Sequence, residues 1–216
     1  MRIDIHDILT ESRVSGIFNV EDLVGGAAEM NSMEDKVDLK PISFPGKIHL
    51  INNDRELALV TQDLISVKEL GFDTETKPSF KKGEVHKVAL LQMSTDQDAF
   101  LLRLHSITQF DSVVEVFENP EVLKVGLAIR DDLKQLQKVF KFSPKNFVEL
   151  QDIAKAQGLK NFGLKGMAEE VLNARLSKGP KLTNWEARSL SDQQLMYAAT
   201  DAWIGLHLFR RLRGLG

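Results

Sequence analysis

Asp73 and Glu75 stand two residues apart in the stretch Gly71-Phe72-Asp73-Thr74-Glu75-Thr76. The apolar approach from Leu70 reads as a short buried strand that ends in these acids. Side chains alternate along a strand, so both carboxylates point to one face. Two carboxylates held that close repel each other unless something neutralises them. A hard divalent cation does so, and Mg²⁺ and Mn²⁺ take oxygen ligands. Taken alone, Asp-x-Glu more often marks a strand running out into solvent, where acids cost little. Two further stretches bear on the choice. Gly126-Leu127-Ala128-Ile129-Arg130-Asp131-Asp132-Leu133 reads as the end of an apolar strand entering a helix, the usual edge for sites in open α/β sheets. Asp131 and Asp132 are also ordinary helix-start residues, favoured by the macrodipole. In Leu195-Met196-Tyr197-Ala198-Ala199-Thr200-Asp201-Ala202-Trp203, Tyr197 and Asp201 lie four apart on one helix face. The alanines around them thin the helix and let it pack close to a sheet. An acid and a phenol on a packed face are costly unless used or paired. A plain Tyr–Asp hydrogen bond is the simpler account of that pair.

The elements that must position these residues follow from periodicity and punctuation. Lys47–Ile51 reads as a first strand, and Asn53 or Asp54 can cap a helix over about 55–67. After the acidic strand, 87–94 is nearly all apolar and hence central, and 98–103 follows across a turn at Thr95-Asp96-Gln97, which makes an antiparallel meander. A short helix over 110–117 stops at Asn119-Pro120. Residues 123–128 are the next strand, with a helix over about 131–140 behind it. A short strand over 147–150 and helices near 151–157 and 164–172 come next. The last helix starts at Ser191 as N-cap, with Gln194 at the capping-box position, and runs to about Leu212. A meander followed by strand–helix units implies an α/β protein with a mixed sheet flanked by helices.

Composition bounds the function classes. The 216 residues are 43% hydrophobic and 27% charged, enough for one domain with a good core plus a tail. There is no cysteine, which excludes disulfide frameworks, zinc–thiolate sites and thiol nucleophiles. A reducing, cytoplasmic setting is the natural expectation. No apolar run approaches the roughly 18 residues of a membrane span, and the N-terminus lacks the order of a signal peptide. The formal net charge is −3, but residues 1–45 hold nine acids against four Lys/Arg. The remainder holds 22 acids against 24 Lys/Arg, so it is mildly basic despite the acidic stretches. Residues 1–44 are weakly patterned and read as an N-terminal extension without chemistry, with the patterned domain over 45–216.

Phe72-Asp73-Thr74-Glu75-Thr76, Gly126…Asp132-Leu133 and Tyr197-Ala198-Ala199-Thr200-Asp201-Ala202 resemble, in order and spacing, the three exonuclease motifs of the DEDD superfamily. The tyrosine four before the last Asp matches the DEDDy branch, of the ribonuclease D and Werner-syndrome-exonuclease type. The histidine branch would place its base five before that Asp, where this chain has Met196. The likeness covers about residues 45–213 and extends to Phe44-Pro45-Gly46, residues 87–92 and residues 177–185. It implies a ribonuclease-H-like fold with a mixed five-stranded sheet and helices on both sides. Within these residues the expectation is an exonuclease domain without the helicase or C-terminal helical domain often attached to relatives.

The resemblance also implies the chemistry. Asp73, Glu75, Asp132 and Asp201 would hold two divalent cations, Mg²⁺ or Mn²⁺, with Asp131 a neighbour. Tyr197 would orient the attacking water, since a phenol near pKa 10 is a poor base. The implied substrate is a single-stranded 3′ end of DNA or RNA, cleaved to nucleoside monophosphates. Thr74 and the loop residues Phe80, Lys81 and Lys82 are the expected substrate contacts, through phosphates or stacking on a base. Lys178, Lys181 and Arg188 are similar candidates, and Trp185 reads as a packing anchor. A non-catalytic nucleic-acid-binding module of the same fold is the competing reading; the retained acids and tyrosine argue against it. An aspartic protease at Asp73-Thr74 fails because Glu75 stands where that motif needs Gly.

Overall fold

Short apolar runs bounded by caps and turns build eight strands and six helices among residues 39–77, 86–177, 179 and 183–214, which this computed structural model describes. The strands are β1 (Lys40–Ile42), β2 (Lys47–Ile51), β3 (Glu69–Thr76), β4 (Val88–Ser94), β5 (Asp98–Arg103), β6 (Leu123–Gly126), β7 (Phe147–Glu149) and β8 (Ala174–Leu176). The helices are α1 (Asp54–Ser66), α2 (Asp111–Glu118), α3 (Ile129–Leu136), α4 (Leu150–Ala156), α5 (Leu164–Leu172) and α6 (Asp192–Leu212). The caps form where the side chains allow them. Asn53 accepts the Glu56 N–H at 2.9 Å at the head of α1. Ser191 and Gln194 form a reciprocal capping box at the head of α6.

The main sheet has the order β2-β5-β4-β3-β6-β7. β3, β4 and β5 form the antiparallel meander, while β2, β6 and β7 join in parallel. The sheet therefore has six strands, the number the residue pattern reads, where the family resemblance implied five. The last is β7, three residues that pair along the outer edge of β6 through Val125–Val148 and the flanking positions. β1 and β8 form a separate two-stranded parallel sheet. Both β1 and the buried Phe44 precede residue 45, yet they are built into the fold; the Phe44 N–H donates to Thr200 Oγ1 on α6 at 3.0 Å.

Helices cover both faces. α1, α2 and α3 pack on one side over Leu70 and Phe72, where Phe117, Phe140, Phe142 and Phe147 form an aromatic cluster. α4, α5 and α6 pack on the other side over Val125 and Leu123. Lys124 is fully buried between the layers, and its ammonium donates to the carbonyls of Val116 and Asn119 at 3.0 and 2.9 Å, closing the C-terminal end of α2. No helix among the described residues is long and apolar enough to cross a membrane.

Candidate active site

The site grows out of one uncovered strand end. β3 pairs with β6 only as far as Gly71–Val125, while its other edge stays paired with β4 to the end. Residues 72–76 thus run past β6 and leave one edge open. Asp73 and Glu75 lie on this segment, with a bulge between Glu75 and Thr76 that ends the regular register. Side-chain alternation puts Gly71, Asp73 and Glu75 on the face toward α6. Gly71 is where α6 comes closest: a Cβ there would lie 1.9 Å from the Ala202 carbonyl oxygen. The missing side chain, with Ala198 and Ala202 buried on α6, brings Tyr197 and Asp201 to the acids of β3.

Asp132 arrives from the opposite layer. The chain leaves β6 at Gly126, where a Cβ would lie 2.5 Å from both the Phe72 carbonyl and Ile129. It then turns through Ala128, whose φ of 56° is left-handed. Glu149, nearly fully buried, holds this turn: its carboxylate accepts the Ala128 and Ile129 N–H groups, each at 2.8 Å, and the Gln151 N–H at 3.1 Å. One acid therefore serves the N-terminal ends of both α3 and α4. The turn starts α3 at Ile129, two residues earlier than the pattern suggested, and places Asp132 toward β3. The Thr74 hydroxyl donates to the Asp132 carboxylate, and the Thr74 N–H donates to Asp73 Oδ1 at 2.8 Å. Asp131 faces away; it is 88% exposed and pairs with Lys134 at 3.2 Å.

Electrostatics shows that the four acids share one field. Burial drives the Asp73 carboxyl well above the usual carboxylate range, and the charges of Asp201, Glu75 and Asp132 push the same way. Burial, then Asp201 and Asp132, lifts Glu75 to about 8, against the pull of the Trp185 indole N–H that donates to it. Burial raises Asp132 and Asp201 to about 6 each; hydrogen bonds from Thr74 and Tyr197 respectively limit the rise. Tyr197 is held far above an ordinary phenol, first by burial, then by the charge of Asp201 and the hydrogen bond donated to it. The acids are half-buried by surface, so they line a depression that water reaches.

This donor set fits hard divalent cations. It is all oxygen, crowded, and relieved by positive charge. Gln92, directly across from Asp73 in the β3–β4 register, is fully buried and its side-chain amide has no hydrogen-bond partner among the described residues. An orphaned amide beside crowded carboxylates suits a site that admits a hydrated ion. Among the described residues, no three Asp, Glu or His side chains form a ready-made chelating cage.

Of the expected substrate contacts, Thr74 has its hydroxyl engaged by Asp132. Phe80, Lys81 and Lys82 lie outside the described residues, as do Lys178 and Lys181. Arg188 is exposed in the turn before α6. Sequence reasoning missed Glu149 and Gln92. It read Trp185 as packing alone, although its indole also hydrogen-bonds Glu75.

A mixed sheet with helices on both faces and an acidic strand end is the architecture of a ribonuclease-H-like hydrolase. The chain belongs to the 3′–5′ exonuclease family, whose model matches residues 48–215. It is 30% identical over 186 residues to the mouse (Mus musculus) bifunctional 3′–5′ exonuclease/ATP-dependent helicase WRN, covering 81% of this chain and 13% of that protein. It is 35% identical over 127 residues to ribonuclease D of Haemophilus influenzae, covering 58% of this chain and 32% of that one. The crystal structure of Escherichia coli RNase D, an exoribonuclease involved in structured RNA processing, superposes with a TM-score of 0.71 at 25% identity, over 78% of this chain and 45% of that one. The chain thus spans less than half the length of each of these relatives.

Proposed function

We propose that this chain is a metal-dependent 3′–5′ exonuclease that hydrolyses the terminal phosphodiester at a single-stranded 3′ end of DNA or RNA and releases nucleoside monophosphates. The observation that carries the reading is the crowding of Asp73, Glu75, Asp132 and Asp201 at one strand end within the family-matched segment, where the charges of Asp201 and Asp132 help raise both Asp73 and Glu75. These four carboxylates would hold two divalent cations, Mg²⁺ or Mn²⁺. Two such ions, when bound, supply an activated water and charge relief at phosphorus and at the leaving 3′ oxygen.

The remaining work falls to this chain's own groups. Tyr197 gives its one O–H proton to Asp201, so its oxygen lone pairs are free to accept a hydrogen bond from the attacking water. Held far above an ordinary phenol, it orients that water and takes no proton from it. Thr74 keeps Asp132 and Asp73 in position from between the two strand acids. Its backbone, with Phe80, Lys81 and Lys82 beyond the strand, is proposed to meet the terminal nucleotide. The catalytic domain is proposed to occupy residues 45–216, with 1–44 as an extension of which 40–44 docks on it. A reducing, cytoplasmic setting accords with the absence of cysteine.

Digestion of 5′-labelled and 3′-labelled DNA and RNA oligonucleotides with Mg²⁺, Mn²⁺ or EDTA tests this. The expected result is a ladder from the 5′-labelled strand, labelled mononucleotide from the 3′-labelled strand, and silence in EDTA. Binding without release, or cleavage that survives EDTA, contradicts it.

A further inference from the structure

The turn just before α6 is fastened with more hardware than a connection needs. Asn184 closes it, accepting the Glu186 N–H on its side chain at 3.0 Å and the Ala187 N–H on its carbonyl at 3.1 Å. At the end of β5, Arg103 has only 6% of its surface exposed. Its guanidinium donates to the Arg188 carbonyl at 3.0 Å and to the Ala187 carbonyl. Burying a guanidinium is costly, and here it faces main-chain carbonyls rather than a carboxylate. Lys77, just past β3, pairs with Glu186 at 3.7 Å. All of this fixes one side chain, Trp185, which is 4% exposed and lies among Leu90, Leu101, Leu190 and Ala198.

Trp185 touches two members of the acid site at once. Its indole N–H donates to the Glu75 carboxylate. Its ring lies 6.4 Å from the Tyr197 ring, tilted by 30°. The Gly179 backbone also comes so close to Tyr197 that a Cβ there would lie 2.0 Å from the ring. The phenol ring thus has both Trp185 and the Gly179 backbone as close neighbours. An indole N–H donates and never accepts, so it favours one Glu75 carboxylate rotamer and offers nothing to the others.

We propose that Trp185 is a positioning residue for the exonuclease reaction, holding Glu75 by its N–H and Tyr197 by its ring, with Arg103 locking the turn that carries it. The proposal rests on the role given above to Glu75 and Tyr197. Removing a hydrogen bond to a metal-ligating side chain commonly costs 10–100-fold in metal affinity or activity. Trp185→Phe keeps an aromatic ring in the cluster and deletes the N–H. It is expected to weaken Mn²⁺ binding, measured by direct titration without nucleic acid, by about tenfold or more. It should lower kcat by a similar factor and leave KM for a 3′-ended oligonucleotide within about twofold, because the group acts through the ligands and not on substrate. Arg103→Lys, which leaves the site's own side chains in place, should give the same split in milder form. Wild-type Mn²⁺ affinity and kcat in Trp185→Phe would overturn the proposal. So would a melting-temperature collapse in which the fraction that stays folded keeps wild-type Mn²⁺ affinity and kcat, for then Trp185 only packs. If the wild-type protein itself neither binds Mn²⁺ nor releases mononucleotides, the reading of the site fails instead, which separates the two failures.

Discussion

The two faces of β3 are built on opposite rules. On one, Leu70 and Phe72 enter a core of large rings, with Phe72 packed edge-on against Phe117 and Phe147 at 5.8 and 5.5 Å. On the other, Gly71, Asp73 and Glu75 meet the thin flank of α6. The first face buries apolar area, which is the main favourable term in folding. The second gives that area up: glycine and alanine bring α6 close, and the space gained is filled by repelling carboxylates. A single strand with a period of two thus separates an apolar face from an acidic one, and the acidic face costs stability until something neutralises it.

Substitutions on the two faces should therefore behave oppositely. Asp73→Asn should cut turnover by about 10³-fold or more, since ion-borne charge stabilisation amounts to several kcal/mol. The same change should raise the melting temperature of the metal-free protein, because it removes the acid most strained by burial and by Asp201. A variant that is both active and less stable would break the comparison. Phe117→Ala, on the aromatic face, should cost about 3–5 kcal/mol in chemical denaturation and leave single-turnover cleavage by the folded fraction unchanged.

The pH dependence of stability sharpens the contrast. A carboxyl whose folded pKa is raised favours the fold most below its unfolded value, and that benefit is lost as pH rises through the folded value. With Asp132 and Asp201 at about 6 and Glu75 at about 8, the metal-free protein should lose stability between about pH 5 and 8. The drop should reach at least about 1 kcal/mol, or roughly 2–4 °C in Tm. Mg²⁺ should restore more at pH 8 than at pH 6, because it binds the ionised acids. Equal Tm at both pH values in EDTA would mean that the acids do not strain the fold. The smallest effect is expected from deleting residues 1–38, which carry the acidic excess and no motif. Cleavage should stay within about tenfold, or 1.4 kcal/mol of barrier, and a larger loss would give the extension a part in the site.

Much of this was legible in the sequence because it rests on local rules. Period-two alternation put Asp73 and Glu75 together, four-residue spacing put Tyr197 with Asp201, and the capping box marked the start of α6. The alanines around Tyr197 announced a close approach, though not that Gly71 receives it. What escaped depends on partners remote in the chain. β1 and β8 are three residues each, one with a proline, and neither carries a period. Glu149 looks like any acid ending a strand until the left-handed turn at Ala128, 21 residues earlier, is brought onto it. Trp185 reads as packing because nothing local says that its N–H will meet Glu75.

The central claim, that the thin face of β3 is a metal-dependent catalytic face, is tested most directly by Tyr197→Phe and Asp201→Ala assayed side by side for Mn²⁺ binding and single-turnover cleavage. Tyr197→Phe should bind Mn²⁺ as the wild type does and cleave about 10²-fold more slowly, the usual share of a positioned group. Asp201→Ala should lose Mn²⁺ affinity together with cleavage. Wild-type cleavage by Tyr197→Phe, or wild-type Mn²⁺ binding by Asp201→Ala, would contradict the account.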